Sequence, residues 1–156
     1  MRYILAIALT LSILPAAAGT PTISDNELSL SGVALGDSES RVLSVLGQPQ
    51  KRSETGEGTA LEYPGITVLV GWLEQQAPNK QRRVFQLTGT ASNACTPAGI
   101  CPGMPVARAE AAYGKPIVAR RETGAFMEFY SHQSSCWLQL GTLAGKIKSI
   151  GAVCQP

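Results

Sequence analysis

The chain has 156 residues, 13 basic and 11 acidic, with one histidine and four cysteines. Near-neutral charge argues against nucleic acid or an anionic membrane as the main partner. Charged residues are sparse and apolar ones plentiful, so the chain should fold rather than remain disordered.

Arg2 opens the chain, and Ile4 to Leu14 follow as an apolar run too short to span a bilayer. Pro15-Ala16-Ala17-Ala18 then supplies the small residues that signal peptidase reads, which places cleavage after Ala18. Removal of residues 1–18 takes away Arg2 and no acid, so 12 basic residues stand against 11 acids. No cysteine follows the apolar run, so a lipoprotein anchor is not expected. The reading is an exported protein, periplasmic or secreted, without a stable membrane anchor.

Residues 19–27 read as a polar arm before Leu28. Ser38 has the side chain to cap a helix, and Val42, Leu43, Val45 and Leu46 give that helix an apolar face. Gly47 and Pro49 end it. Thr59–Tyr63, Ile66–Leu73 and Arg82–Thr88 read as strands, with a polar loop at Gln75–Asn79. A second helix is expected after Pro105, with Val106, Ala109, Ala112 and Tyr113 on its apolar side and Gly114 and Pro116 at its end. Ala125–Tyr130, Ser135–Gly141 and Lys146–Val153 read as three further strands, the last two joined by a turn at Thr142-Leu143-Ala144-Gly145.

The two halves align without a gap at an offset of 67. Gly32, Gly36, Arg41, Gly47 and Pro49 meet Gly99, Gly103, Arg108, Gly114 and Pro116. Further on, Glu54-Thr55-Gly56 meets Glu122-Thr123-Gly124, and Leu61-Glu62-Tyr63 meets Met127-Glu128-Phe129. The expected fold is therefore α+β, as two tandem copies of a short helical segment followed by an antiparallel sheet of three to four strands. Residues 19–91 would form the first copy and residues 92–156 the second.

The shared pattern Gly-(Val/Met)-x-x-Gly-x-(Ser/Thr)-x-x-x-Val-x-x-x-Leu-Gly-x-Pro, followed by antiparallel strands, resembles the helix-plus-sheet unit of two related groups. One is the outer-membrane assembly lipoproteins of the SmpA/OmlA type. The other is the β-lactamase-inhibitory proteins, which carry the unit in tandem. The resemblance implies a sheet whose open face binds another protein, without catalysis. The chain lacks the acylated cysteine of the lipoproteins.

Cys95, Cys101, Cys136 and Cys154 are an even set in an exported chain and read as disulfides. Of three possible connectivities, Cys95–Cys101 and Cys136–Cys154 is favoured. The first pair flanks a short loop, and the second sits on consecutive strands. Zinc would need closer cysteine spacing or neighbouring histidines, and the chain offers only His132. No metal or cofactor is expected.

No catalytic set emerges. Ser131, Ser134 and Ser135 lie near His132, but nothing marks a triad. Glu62 and Glu128 occupy equivalent strand positions and are the candidates for carboxylate hydrolysis, with a polar residue on a solvated strand face as the plainer reading. The pairs Lys51-Arg52, Arg82-Arg83 and Arg120-Arg121 read as solvated strand ends or as marks of an anionic partner. Strand alternation places Phe126, Glu128 and Tyr130 on one face with Trp137 and Gln139 beside them. These five residues form the candidate protein-binding surface, with the aromatics as exposed anchors on an open side; the other reading is that the two sheets, or a loop such as Gln75–Asn79, cover them. The function expected is a non-catalytic cell-envelope binding module. The alternatives are an inhibitor of an extracellular or periplasmic hydrolase and a small hydrolase using Glu62 or Glu128.

Overall fold

The computed structural model describes residues 22–71 and 82–154. The export signal expected over residues 1–18, Trp72 and the Gln75–Asn79 loop lie outside them. Eleven strands are described: β1 (Thr22–Ile23), β2 (Ser29–Leu30), β3 (Val33–Ala34), β4 (Lys51–Glu54), β5 (Thr59–Tyr63), β6 (Ile66–Gly71), β7 (Arg83–Gly89), β8 (Ile117–Arg121), β9 (Gly124–Ser131), β10 (Cys136–Leu143) and β11 (Lys146–Cys154). Two helices accompany them, α1 (Glu39–Leu46) and α2 (Val106–Tyr113).

The expectation of two tandem helix-plus-sheet copies is not met. The protein is mostly β, and nine strands form one mixed sheet in the order β1-β9-β10-β11-β7-β6-β5-β4, with β8 also on β9. The seam is the antiparallel pair β7–β11, with Ile150 opposite Gly89 and Val153 opposite Gln86. Each half would otherwise leave a row of unpaired backbone groups at that edge, and joining satisfies both. Two eight-residue helices supply too little apolar surface to cover two separate sheets.

The helix ends follow local chemistry. Ser38 Oγ accepts from the Arg41 N–H at 3.2 Å. Gly47 and Gly114 close their helices at φ of 78° and 85°, where a Cβ would be strained. Pro105 precedes α2 with no side-chain cap. Ala144 and Gly145, both at positive φ, form the two-residue turn between β10 and β11.

One sheet face carries the core. Leu61, Val68, Leu87, Phe129, Leu138, Leu140 and Ile150 are sealed there beneath Val42 of α1 and Ala109 and Tyr113 of α2. The Tyr113 and Phe129 rings lie 5.2 Å apart. The β2–β3 hairpin adds Leu30 and Val33. Residues 22–27 are not a detached polar arm. Ile23 and Leu28 are buried, and β1 pairs in parallel with the end of β9. Ser131 and Ser134 hydroxyls donate to Asp25 Oδ1 at 2.5 and 2.7 Å and fasten the segment.

Both disulfides form, Cys95–Cys101 and Cys136–Cys154. Cys136 and Cys154 are direct cross-strand partners. Such bridges belong to oxidising compartments. No helix among the described residues is long and apolar enough to cross a membrane.

Candidate functional site on the sheet face opposite the helices

No helix among the described residues covers the other face of the sheet. Because side chains alternate, register alone defines what stands there. One transverse row runs Lys51, Glu62, Thr67, Thr88, Gly151, Gln139, Glu128 and Ile117, each the direct neighbour of the next. A second runs Ser53, Ala60, Leu69, Gln86, Val153, Trp137 and Tyr130. Gly151 lacks a side chain in the middle of the first row, so the face is low at its centre and built up at both ends.

The end on β8, β9 and β10 carries the denser network of side-chain contacts. Glu128 is only 2 % exposed. Its Oε1 accepts from Arg121 Nη2 at 2.5 Å and Gln139 Nε2 at 3.3 Å, and its Oε2 accepts from the Tyr130 hydroxyl at 2.6 Å. Ile117, Ala119 and Arg121 share this face of β8, and the small Ala119 lets the guanidinium lean back towards Glu128. The bond to Glu128 raises the Tyr130 pKa above the usual phenol value, because ionisation would place two anions together. The same carboxylate raises the Arg121 pKa.

Tyr130 stacks on Trp137 with centroids 5.6 Å apart. Trp137 is 9 % exposed, and its indole N–H has no acceptor among the described residues. The Phe126 ring lies over Gly141, where an added Cβ would come within 3.5 Å of it. Phe126 and Tyr130 are half-buried.

Four of the five residues expected to bind, Glu128, Tyr130, Trp137 and Gln139, meet in one cluster, with Phe126 on the adjoining register position. Two expectations need correction. Trp137 is not an exposed anchor but part of a sealed stack. Glu128 does not stand on a solvated strand face, because Arg121, Tyr130 and Gln139 enclose it. Arg121, expected at a solvated strand end or as a mark of an anionic partner, completes the cluster instead. The short hairpin after it, which turns β8 back beside Glu128, was the available signal.

The other basic pairs are also engaged within the chain. Lys51 pairs with Glu62 at 3.4 Å and Arg52 with Glu39 at 2.6 Å. Arg82 donates to Thr59 Oγ1, and Arg83 donates to the Gly36 carbonyl at 2.9 Å. His132 holds the Ile23 carbonyl with Nδ1 at 2.8 Å, while the nearby serine hydroxyls turn to Asp25. No serine–histidine pairing results among the described residues.

Glu62 and Glu128 sit at opposite ends of the first row, five strand spacings apart. At ~4.8 Å per strand the separation is about 24 Å. Two carboxylates flanking one scissile bond stand about 5–9.5 Å apart, so these two do not serve as a pair. A small cavity of about 250 Å³ lies elsewhere, between Thr22, Ser24, Glu27, Ala98 and Tyr113. The Tyr113 hydroxyl donates there to Glu27 at 2.7 Å, and burial pushes its pKa well above the usual value.

Fold and site together describe a single-sheet module with one packed face and one bearing a braced ionic and aromatic cluster. No family model and no curated protein sequence matches the chain. Among solved structures, an extracellular protein containing an SCP domain from Bacillus anthracis str. Ames is similar, with a TM-score of 0.54 and 11% identity. The likeness covers 95% of this chain and 50% of that one, so the chain spans about half the length of that structure. At this identity the likeness is one of fold.

Proposed function

We propose that the protein is a non-catalytic binding module of the cell envelope that meets a protein partner through the sheet face opposite the helices. The observation that carries this reading is the Arg121–Glu128–Tyr130–Trp137 cluster. A buried carboxylate is costly unless it is fully paired, and here Gln139 from β10, Tyr130 from the same strand and Arg121 from β8 all hold it. Such bracing fixes the shape of the surface around it, and a fixed aromatic and ionic surface binds a partner with little loss of side-chain freedom. The resemblance to the SmpA/OmlA and β-lactamase-inhibitory proteins implies the same use of a sheet face. The two bridges support an exported location, periplasmic or secreted.

The test is photocrosslinking in the native envelope. A benzoylphenylalanine placed at Thr88 or Gln139, both on this face, should capture one discrete protein. The same group at Arg108, on the exposed side of α2, should not. Equal capture from all three positions, or none from the sheet, would refute the reading. If the captured protein is a hydrolase whose activity falls on stoichiometric binding, the module is an inhibitor.

A further inference from the structure

Besides the two-residue β1, the outer strands of the sheet are β4 and β8, and they are treated differently. β4 reads Lys-Arg-Ser-Glu, and its two cations are held by Glu62 and Glu39. Charge of this kind protects an edge from unwanted pairing. β8 reads Ile-Val-Ala-Arg-Arg, and Ile117 and Val118 are 45% and 65% exposed on opposite faces of the strand.

Hairpin geometry says which backbone groups of β8 are unused. Arg121 and Gly124 close a two-residue loop, so they form a hydrogen-bonded pair, as do Ala119 with Phe126 and Ile117 with Glu128. Val118 and Arg120 then point their N–H and C=O groups away from β9. No backbone hydrogen bond outside the hairpin involves residues 115–122 among the described residues.

We propose that this outer edge of β8 is a strand-addition site for an extended acidic segment of a partner protein, which joins the sheet as its tenth strand. An added strand would place alternate side chains over Ile117 on one face and Val118 on the other, which covers both apolar groups at once. The charge is complementary. Lys115 and Arg120 carry two positive charges with no acid between them, Arg121 is matched by Glu128, and Glu122 lies in the turn beyond. A second copy of the chain fits worse, because pairing β8 with β8 would gather these cations from both copies. It would also double a nine-stranded sheet to eighteen strands, where twisted open sheets rarely exceed about ten. The edge is distinct from the open face, although Arg121 borders both.

The experiment titrates the ¹⁵N-labelled, disulfide-bonded chain with an acetylated octapeptide of alternating valine and glutamate. The same peptide with lysine in place of glutamate serves as the counter-probe. With the acidic peptide, amide exchange at Val118 and Arg120 should slow at least tenfold, while Ala119 and Arg121, already bonded to β9, stay as they were. Val118→Pro removes one outward N–H and should weaken binding at least tenfold. Val118→Glu keeps the N–H and the hairpin but repels the acidic strand, and should give a comparable loss even if the proline variant misfolds. Equal binding of both peptides, binding without protection of those two amides, or dimerisation that protects them without peptide would overturn the proposal. Shifts centred on Tyr130 and Gln139 with none on β8 would also overturn it, and would leave the reading of the open face standing.

Discussion

The Arg121 guanidinium closes over the Glu128 carboxylate at 2.5 Å, with the arginine side chain 47% exposed and the glutamate 1%. The pair is one-sided, a wet cation capping a dry anion. Removing the cap therefore differs from removing the anion. Arg121→Ala strands a charge under Tyr130 and Gln139, whereas Glu128→Gln leaves a neutral acceptor.

Arg121→Ala should lower the thermal midpoint more than Glu128→Gln does. The double variant should melt above Arg121→Ala alone, because the stranded charge has gone. Strictly additive shifts across the four proteins would show that the two groups do not interact.

Tyr63, Tyr113 and Tyr130, the tyrosines among the described residues, all have raised pKa values. The sign follows from linkage. The unfolded phenols ionise near the usual value of about 10 while the folded ones resist, so the stabilisation is complete below that pH and is lost as pH rises through the folded values. Phenolate absorbance of the folded chain should show no step at the ordinary value, and the melting temperature should fall as pH climbs past it. A full single-tyrosine step near 10 in the folded protein would contradict the geometry at that residue.

The bridges enclose loops of different size, with sequence separations of 6 and 18. In the chain-entropy model, loss of Cys95–Cys101 costs about 2 kcal/mol and loss of Cys136–Cys154 about 3 kcal/mol. Paired cysteine-to-serine variants unfolded in guanidinium should show that order. The reverse order would mean that the bridges act through the folded state.

Gly65 sits at φ +69°, and a Cβ there would lie 2.4 Å from the Ala91 side chain and 2.9 Å from its backbone nitrogen. Gly65→Ala must move backbone rather than a flexible side-chain tip. It should cost about 1–3 kcal/mol, with the loss concentrated at the turn between β5 and β6. A variant as stable as the parent in urea would refute this.

The parts that were legible in the sequence rest on short-range chemistry. Ser38, Gly47, Gly114 and Pro105 mark helix ends because capping and chain reversal are decided within a few residues. Strand alternation grouped Glu128, Tyr130, Trp137 and Gln139 because register neighbours follow from hairpins. The join between β7 and β11 was not legible. Those strands lie more than fifty residues apart, and nothing local distinguishes a strand that ends a sheet from one that meets another. The burial of Glu128 was hidden for the same reason. A glutamate in an alternating strand reads as solvated until its neighbours turn over it, and Arg121 comes from another strand. Ile23 reads as part of an arm because one apolar residue among polar ones gives no period. Its burial goes with the pairing of β1 and β9, about a hundred residues away.

The place of β11 has a consequence for how the chain is made. The last described strand lies in the middle of the sheet, between β10 and β7. A chain that emerges from its N-terminus first can complete β4 to β7, and later the β8–β10 meander, but must hold both with open edges until Lys146–Cys154 arrives. Final assembly is thus tied to the arrival of β11, and the Cys136–Cys154 bridge can close only then. Loss of β11 would leave two half-sheets with no strand to bridge them. The cell's proteases would meet an unfinished protein rather than a slightly shorter one.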